Sequence, residues 1–224
     1  MGERNIGRHT RAKRPPLSRD MVVAAAIALA DEAGETGVSM RAIAARLGVQ
    51  AMSLYNHVSS REDVLDGMVD SVFGEIDLPA STTDWREAMR DRAASVRAAL
   101  QRHHWAVGLM DSRRRPGPAT LRHHDAVLGA LRAGGFSVAM AVHAFTVIDS
   151  YLYGFVLQEL SLPFTGPVEF GEVAEGIARD LPADAYPNLT EVLTEYTRRP
   201  DYDYASEFDL GLSMILNALQ PDEA

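Results

Sequence analysis

Apolar side chains recur at every third or fourth position along most of this chain, which is the spacing of one face of an α-helix. In the first third of the chain the pattern predicts helices over residues 18–34, 39–47, 50–58 and 60–76. It predicts further helices over residues 85–102, 105–110, 119–133, 137–160, 169–181, 189–198 and 204–219. No segment alternates as a strand does and no internal repeat occurs, so we predict an all-α fold.

Two short helices joined by a tight turn stand out within residues 39–58. Ser39 is placed to cap the first helix, because its side chain can accept a hydrogen bond from a backbone N–H of the opening turn. Gly48 follows the last apolar position of that helix, where a left-handed residue commonly ends a helix and glycine is unstrained. Together with the preceding helix, these two form a bundle whose predicted core contains Ile27, Ile43, Leu47, Leu54 and Val58.

This arrangement is typical of a helix-turn-helix, a motif whose second helix enters the major groove of DNA. Its outward-facing positions define a predicted interface with double-stranded DNA. We expect base edges or nearby phosphates to be approached by Gln50, Ser53, Tyr55 and Asn56. We expect phosphate contacts from Arg41, His57 and Arg61, and we include in the same interface Ser39, Ala51 and Met52.

The charges of the chain are unevenly distributed. The formal net charge is −9, yet residues 1–57 contain eight basic and five acidic side chains, whereas the remaining residues contain 14 basic and 26 acidic ones. DNA is attracted to the basic end and repelled by the acidic remainder. A solvated basic tail would have the same composition, but its position beside a helix-turn-helix favours DNA binding.

Composition also indicates the cellular compartment of the protein. Cysteine is absent, so disulfides and thiolate metal sites are excluded. Residues 1–14 are basic and lack the apolar segment of a signal peptide. The longest apolar stretch, residues 138–157, is interrupted by His143 and Asp149, and a carboxylate is costly inside a bilayer. We therefore expect a cytoplasmic protein that does not span a membrane.

The helix pattern and the charges together predict three parts of the chain. Residues 1–17 are expected to form a mobile basic arm that adds phosphate or minor-groove contacts, through Arg8, Arg11, Lys13 and Arg14. Residues 18–64 are expected to form the helix-turn-helix domain, and residues 65–224 a helical ligand-binding and dimerisation domain. The predicted helix over residues 137–160 is apolar on almost every side, so neighbouring helices or a second subunit must cover it.

Signatures of catalysis and of metal binding are missing. The sequence contains no P-loop, dinucleotide-binding glycine pattern, nucleophile elbow or HExxH motif. Its histidines include two adjacent pairs, at residues 103–104 and 123–124, and adjacent helical residues do not share a face as i, i+4 metal ligands do. We predict no catalytic residue, no metal site and no cofactor, with a metal site built from both pairs as an alternative.

Three segments of the sequence resemble the tetracycline-repressor (TetR-like) family of transcriptional regulators. They are Ala-Ala-Arg-Leu-Gly-Val at residues 44–49, Leu-Tyr-Asn-His-Val at 54–58, and Ser-Arg-Glu-Asp-Val-Leu at 60–65. Weaker similarity to the regulatory domain of the tetracycline repressor subgroup continues through residues 85–97 and 137–160. The resemblance implies a homodimer whose affinity for a DNA operator is lowered by a small-molecule inducer.

The same resemblance bears on the identity of the inducer. In the tetracycline repressor, a histidine and a glutamate help to hold a magnesium–drug complex, and the matching positions here are Met110 and Gln158. Methionine is a poor ligand for a hard cation and glutamine carries no charge, so magnesium–tetracycline is not the expected inducer. Tryptophan and glutamine occupy the positions that match Asn56 and Ala51, so the operator preference of that repressor does not transfer either.

The larger domain is expected to enclose an apolar cavity for the inducer. Its predicted walls are Phe73, Val96, Met110, Val127 and Phe145, and its predicted polar contacts are Arg92, His124 and Asp149. Each wall residue is equally compatible with an ordinary core. Asp149 lies among apolar neighbours and therefore needs a partner, which is either an Arg or His of the same chain or the ligand itself.

The hypothesis that follows is a homodimeric repressor that binds a palindromic operator and is released by a small, largely apolar molecule. One alternative is a small helical enzyme in which Asp149 and His124 act as an acid–base pair within hydrogen-bond distance of each other. Another is an architectural DNA-binding module without a ligand sensor, which would lack a sizeable enclosed pocket.

Overall fold

The computed structural model describes residues 16–80, 84–164, 166–182, 185–197 and 202–222. The predicted basic arm therefore lies, up to residue 15, outside the described residues. Within the described ranges every regular element is a helix, and the all-α prediction is confirmed. The α-helices are α1 (Arg19–Ala33), α2 (Met40–Leu47), α3 (Ala51–Leu54), α4 (Arg61–Gly74), α5 (Trp85–Arg102), α6 (Pro118–Ala133), α7 (Val138–Ser161), α8 (Pro167–Asp180), α9 (Pro187–Thr197) and α10 (Ala205–Ala218).

Three predicted helices are shorter in the structure. The second helix of the helix-turn-helix ends at Leu54 and continues as a turn to His57. Helix α4 ends at Gly74, two residues before the predicted end. The helix predicted over residues 105–110 is only a 3-10 turn, His104–Ala106, because Gly108 follows it and glycine disfavours a helix interior.

The chain divides into two compact units, Met1–Leu65 and Asp66–Ala224. In the first unit, Ser18 caps α1 by accepting a hydrogen bond from the amide of Met21 at 3.3 Å. The core of this unit includes Val22, Val23, Ala26, Ala30, Ile43, Leu54 and Val58. Ile27 and Leu47, also predicted for this core, are only half-buried. The buried face of α1 runs through residues 22, 26 and 30, and Ile27 projects to one side of it.

In the second unit, α7 packs against α5, α6 and α10, while α8 and α9 pack against each other. Ile148 and Leu152 on α7 are completely buried between these helices. At the start of α5, Trp85 makes an edge-to-face contact with Phe136, with ring centroids 4.8 Å apart. The packing fixes one face of α7 in the core of this unit.

The opposite face of α7 is exposed and carries apolar side chains together with polar ones such as His143, Thr146 and Ser150. Its exposed residues include Val138, Val142, Val147 and Leu157, and the neighbouring α10 exposes Leu210 and Met214. By length and composition α7 could cross a membrane, the one helix of the described residues that could, but core helices of soluble proteins have the same character. Its buried Asp149, 6% exposed, contributes to packing inside the second unit.

Candidate DNA-binding surface and ligand cavity

Local hydrogen bonds fix the geometry of the helix-turn-helix. The Ser39 hydroxyl accepts a hydrogen bond from the amide of Ala42 at 3.2 Å and so caps α2. Gly48 ends this helix in the left-handed conformation, with φ +68° and ψ +38°. The next amide, that of Val49, then donates to the Ala44 carbonyl at 3.0 Å. Residues next to α2 in the sequence therefore provide hydrogen-bond partners for backbone groups at both of its ends. These bonds define the turn into α3.

The buried anchors of α3 leave its other side chains available to a partner. Leu54 and Val58 are buried, and Met52 on the outer face is 76% exposed. Of the predicted contact residues, the exposed ones are Ser39, Arg41, Gln50, Met52, Tyr55 and Asn56, and the half-buried ones are Ala51, Ser53 and His57. The outer face of α3 thus presents polar and aromatic groups of the kind that read base edges.

Arg61 has a different environment from the other predicted phosphate contacts. Its Nε donates to the carbonyl of Val38 at 2.9 Å, and its guanidinium forms an ion pair with Glu35. These bonds hold the start of α4 against the segment before α2. Since a phosphate contact would require Arg61 to leave them, we assign this arginine a structural role in the first unit.

A group of buried polar side chains joins three helices of the second unit. We call Arg92 on α5, His123 on α6 and Asp149 on α7 the Arg92 cluster. The Nε of Arg92 donates to His123 Nε2 at 3.0 Å, and its Nη2 lies 2.6 Å from Asp149 Oδ1. Arg92 and His123 are 1% and 0% exposed, so the cluster is shielded from solvent by the protein. Asp149 therefore has its partner within the chain.

Burial controls the protonation of this cluster. Desolvation, with a smaller effect of the nearby Arg92, lowers the pKa of His123 to about 3. Burial likewise raises the pKa of Asp149, and the Arg92 guanidinium opposes that change. Tyr153 follows Asp149 by one turn of α7, and burial raises the pKa of its phenol as well. At neutral pH the His123 imidazole of the Arg92 cluster is therefore neutral.

Aromatic side chains cover the Arg92 cluster on one side. The Phe73 ring lies 5.3 Å from that of His123 and 5.4 Å from that of His124, measured between ring centroids. The ring of His124 in turn meets that of Phe145 edge to face at 5.3 Å. Phe73 belongs to α4, so this helix contacts the cluster directly.

A cavity of about 160 Å³ adjoins these rings through His124. Met110, Thr120 and His124 contribute to its lining, together with the loop that precedes α6. Of the predicted ligand contacts, Met110 and His124 line this cavity. Two others, Arg92 and Asp149, belong to the adjoining Arg92 cluster. The rings that cover this cluster include Phe73 and Phe145. The remaining two, Val96 and Val127, are completely buried.

Two carboxylates of α4 contact the segment around the start of α6, and one of them, Asp66, also lines this cavity. Asp66 pairs with Arg113, with Oδ1 and Nε 2.9 Å apart. Asp70 accepts hydrogen bonds from the amide of Thr120 at 2.8 Å and from its hydroxyl at 2.9 Å. We call these two interactions the α4–α6 contact. Both carboxylates are on one face of α4, four residues apart.

Helix α6 depends on Asp70 for its N-terminal cap. The residue at its N-cap position is Gly117, which has no side chain to accept a hydrogen bond. A Cβ at residue 117 would lie 2.2 Å from Cγ of Asp70, so only glycine admits the carboxylate this closely. Asp70 therefore supplies both the missing acceptor and a negative charge at the positive end of the helix dipole.

A second cavity, of about 420 Å³, lies where α5, α7 and the start of α10 meet. Its charged groups are mutually satisfied, because the guanidinium of Arg97 pairs with Glu159 and also donates to the carbonyl of Ala205. Gln158, at the position that matches a glutamate of the tetracycline repressor, accepts a hydrogen bond from Tyr204 at 3.1 Å. No group of three or more His, Asp or Glu side chains suited to a metal ion occurs among the described residues.

The structure adds several residues to those predicted from the sequence. His123 and Thr120 were missed, as were Asp66, Asp70 and Arg113. The sequence did not indicate which of the adjacent His123 and His124 is buried. The spacing of the two aspartates, four residues apart on an otherwise apolar helix face, was the one signal that a polar partner faces α4.

These features define a helix-turn-helix protein with a separate helical unit that contains a cavity. The family described as "Tetracyclin repressor-like, C-terminal domain" matches residues 78–221, and the one described as "Bacterial regulatory proteins, tetR family" matches residues 22–68. The chain belongs to the TetR family. It is therefore a DNA-binding transcriptional regulator and not an enzyme.

Individual relatives and structures agree with this assignment. The transcriptional repressor DrrR1 of Streptomyces coeruleorubidus is 34% identical over 95% of this chain and 81% of its own length. A transcriptional regulator of Saccharopolyspora erythraea is 40% identical over 65% of this chain, and the match spans only 62% of that regulator. The structure of ActR of Streptomyces coelicolor in complex with actinorhodin is similar with a TM-score of 0.77, at 26% identity over 91% of this chain and 95% of that one.

The exposed Asn56 provides a test of base readout. We expect Asn56→Ala to weaken binding to the cognate site by about 1–3 kcal/mol, because an asparagine that pairs with adenine contributes about this much discrimination. Fluorescence anisotropy titrations on cognate and scrambled DNA measure the effect. Ser59→Ala, an exposed change outside α3, serves as the control. An equal loss on both DNAs would mean that Asn56 makes no base-specific contact.

Proposed function

We propose that this chain is a ligand-responsive transcriptional repressor that binds a palindromic DNA operator as a homodimer and is released by a small, largely apolar inducer. Residues 18–64 form the DNA-binding domain and residues 65–224 the ligand-binding and dimerisation domain. Residues 1–17 form a basic arm that adds phosphate contacts. The protein acts in the cytoplasm. The single observation that carries the proposal is the exposed polar face of α3, held by a capped helix-turn-helix, in a chain of the TetR family.

The DNA contacts are assigned by exposure. Gln50, Ser53, Tyr55 and Asn56 read base edges or nearby phosphates, and Arg41 and His57 contact phosphate. Ser39 orients α2, while Ala51 and Met52 complete the surface that faces the groove. Arg61 is left out of this set because its guanidinium is already bound within the first unit.

The ligand is assigned to the second unit. The cavity beside His124 and Met110, the aromatic rings of Phe73 and Phe145, and the Arg92 cluster form one continuous group there. Charged side chains, among them Asp66, Asp111 and Arg113, line much of the cavity, and the apolar surface comes from Met110 and Val69 together with the adjoining aromatic rings. The similarity to ActR, whose structure has been solved with actinorhodin, supports a ligand of small-molecule size.

The homodimer is assigned to the exposed apolar face of α7 and α10. Val138, Val142, Leu157 and Met214 are each about half exposed or more, and soluble proteins rarely leave such a stretch of apolar side chains uncovered. Two helices from each subunit would form a four-helix bundle. Leu216 does not belong to this surface, since it is completely buried within one subunit.

Helix α4 is the proposed connection between ligand and DNA. It begins at Arg61, in the unit that contains the helix-turn-helix, and continues to Gly74 in the other unit. Its carboxylates at residues 66 and 70 hold the wall of the cavity through the α4–α6 contact. A ligand that binds more tightly to one arrangement of this contact changes the population of α4 positions, by no more than its difference in affinity.

Selection of bound DNA from a random pool tests the proposal as a whole. Two helix-turn-helix motifs of one dimer enter successive major grooves only when they are about 34–36 Å apart. We therefore expect an inverted repeat whose half-sites are one helical turn apart. Enrichment of single half-sites, or no enrichment, would contradict the proposal.

The same selection with Met214→Glu tests the dimer surface. A carboxylate in the apolar seam is expected to leave monomers that enrich half-sites only, and ultracentrifugation at micromolar concentration gives the subunit count. Leu121→Glu, at an exposed leucine of α6, is the matched control and is expected to remain dimeric. A dimeric Met214→Glu protein would place the interface elsewhere.

Substitutions in the α4–α6 contact test whether α4 couples ligand binding to DNA binding. The measured quantity is the ratio of operator dissociation constants with and without a compound that releases the DNA. For a wild-type ratio of about 100, equivalent to about 2.7 kcal/mol of coupling, we expect Asp66→Asn and Arg113→Gln each to lower the ratio at least threefold. The double variant should do no more, because both changes break the same ion pair. Asp125→Asn on the exposed face of α6 is the control. An unchanged ratio in all variants would show that this pair carries no coupling.

A further inference from the structure

Two large apolar side chains of the first unit are exposed, and both belong to the surface predicted to face DNA. Among the described residues of this unit, Met52 is 76% exposed and Tyr55 47%, while the other large apolar side chains are buried or half-buried. Tyr55 has a hydroxyl that can donate to a base edge or accept from it. Met52 has no such group, because its thioether sulfur is only a weak acceptor. Hydrogen-bond readout therefore leaves the exposure of Met52 unexplained.

The direction of the Met52 side chain follows from the geometry of α3. Successive residues of an α-helix are about 100° apart, so Met52 lies about 160° around the helix from Leu54. Leu54 is completely buried, and its carbonyl accepts a hydrogen bond from the amide of the buried Val58 at 3.0 Å, so the helical path continues past Leu54. Met52 therefore points away from the core, and Tyr55 and Asn56, three and four residues later, lie on the same side.

The composition of the surface around Met52 favours DNA over an apolar protein partner. Residues 39–58 contain no aspartate or glutamate, and Arg41, Gln50 and Asn56 are exposed there. Apolar docking sites for proteins are contiguous patches of several apolar side chains, whereas Met52 is surrounded by polar ones. The major groove of DNA has the complementary composition, since hydrogen-bonding atoms line it and a methyl group occurs wherever the base is thymine.

We propose that Met52 recognises thymine in the operator by packing against the 5-methyl group that this base presents in the major groove. The other base edges there offer donors and acceptors, which a thioether side chain cannot use. The unbranched methionine side chain has three rotatable bonds and adapts to the position of the methyl group. The proposal rests on the proposed function, in that α3 must enter the major groove, and it assigns one base of each half-site.

Deoxyuridine tests this contact, because it differs from thymidine only in lacking the 5-methyl group. Each thymine of the half-site that selection enriches is replaced in turn, and fluorescence anisotropy gives the dissociation constant of the full-length wild-type protein. We expect one replacement to weaken binding about fourfold for each half-site, the effect of exposing one buried methyl group. A half-site without thymine, or one in which every replacement leaves the affinity unchanged, would overturn the proposal.

Substitutions of Met52 locate the contact. Met52→Ala should weaken binding to the thymine operator and abolish the difference between thymine and deoxyuridine, because the side chain that meets the methyl group is absent. Met52→Leu keeps apolar atoms at this position and should retain a difference of at least twofold. Leu121→Ala, which truncates an exposed leucine of the second unit, is the matched control and should retain the full difference.

The neighbouring ring of Tyr55 is tested in the same way. Tyr55→Ala should weaken binding overall but keep the difference at the thymine that Met52 contacts. Circular dichroism and thermal unfolding check the fold of each variant. A difference that persists at every sensitive thymine in Met52→Ala would overturn the assignment, whether or not Tyr55→Ala removes it.

The outcomes for this contact and for the proposed function are distinguishable. An enriched inverted repeat that tolerates deoxyuridine at every position would overturn the Met52 contact and leave the homodimeric repressor in place. Single half-sites with a deoxyuridine effect that Met52→Ala removes would support the contact and contradict the palindromic operator. A selection that enriches no DNA would overturn both, because Met52 would then have no thymine to contact.

Discussion

The continuity of helix α4 is the constraint on which the rest of this protein depends. Its first turn is held by Arg61, which binds Glu35 and the Val38 carbonyl in the unit of the helix-turn-helix. Farther along, Asp66 pairs with Arg113 before α6, and Asp70 accepts hydrogen bonds from Thr120 in the first turn of α6. Between these points the helix continues from the residues of one unit to those of the other. The proposed route from the ligand to the DNA-binding unit is this helix.

The Arg92 cluster joins three helices of the second unit at one buried point. A buried ion pair contributes little net stability, because desolvation of both charges offsets their attraction. The Arg92–Asp149 pair nevertheless joins α5 to α7, and His123 adds α6 to the same point. Phe73 brings α4 into the same group of side chains through its contact with the His123 ring.

Features governed by local chemistry could be predicted from the sequence. The caps at Ser18 and Ser39 and the left-handed Gly48 each depend on residues within one helical turn, and the structure contains all three. The exposed face of α3 follows from its two buried anchors. The all-α fold and the family could be predicted for the same reason, since both are encoded in short stretches of sequence.

Features governed by pairing between distant residues could not be predicted. Asp70 caps a helix that begins 48 residues later, and Arg61 pairs with a carboxylate 26 residues earlier, so no window of sequence contains either interaction. His123 and His124 are adjacent in sequence, yet only the packing of α6 against α5 decides which one meets Arg92. The sequence showed that Asp149 needs a partner. It did not show whether that partner is an arginine or histidine of the same chain or the ligand, because the answer depends on how the helices pack.

The central claim is that an inducer changes the separation of the two DNA-binding units in a dimer, and one distance measures it directly. The chain has no cysteine, so Ala24→Cys at an exposed position of α1 places one spin label on each subunit. Double electron–electron resonance then gives the label-to-label distance with operator DNA and with a compound that releases it. We predict a single narrow distribution on DNA and a shifted mean with the compound. Identical distributions in both states would contradict the account.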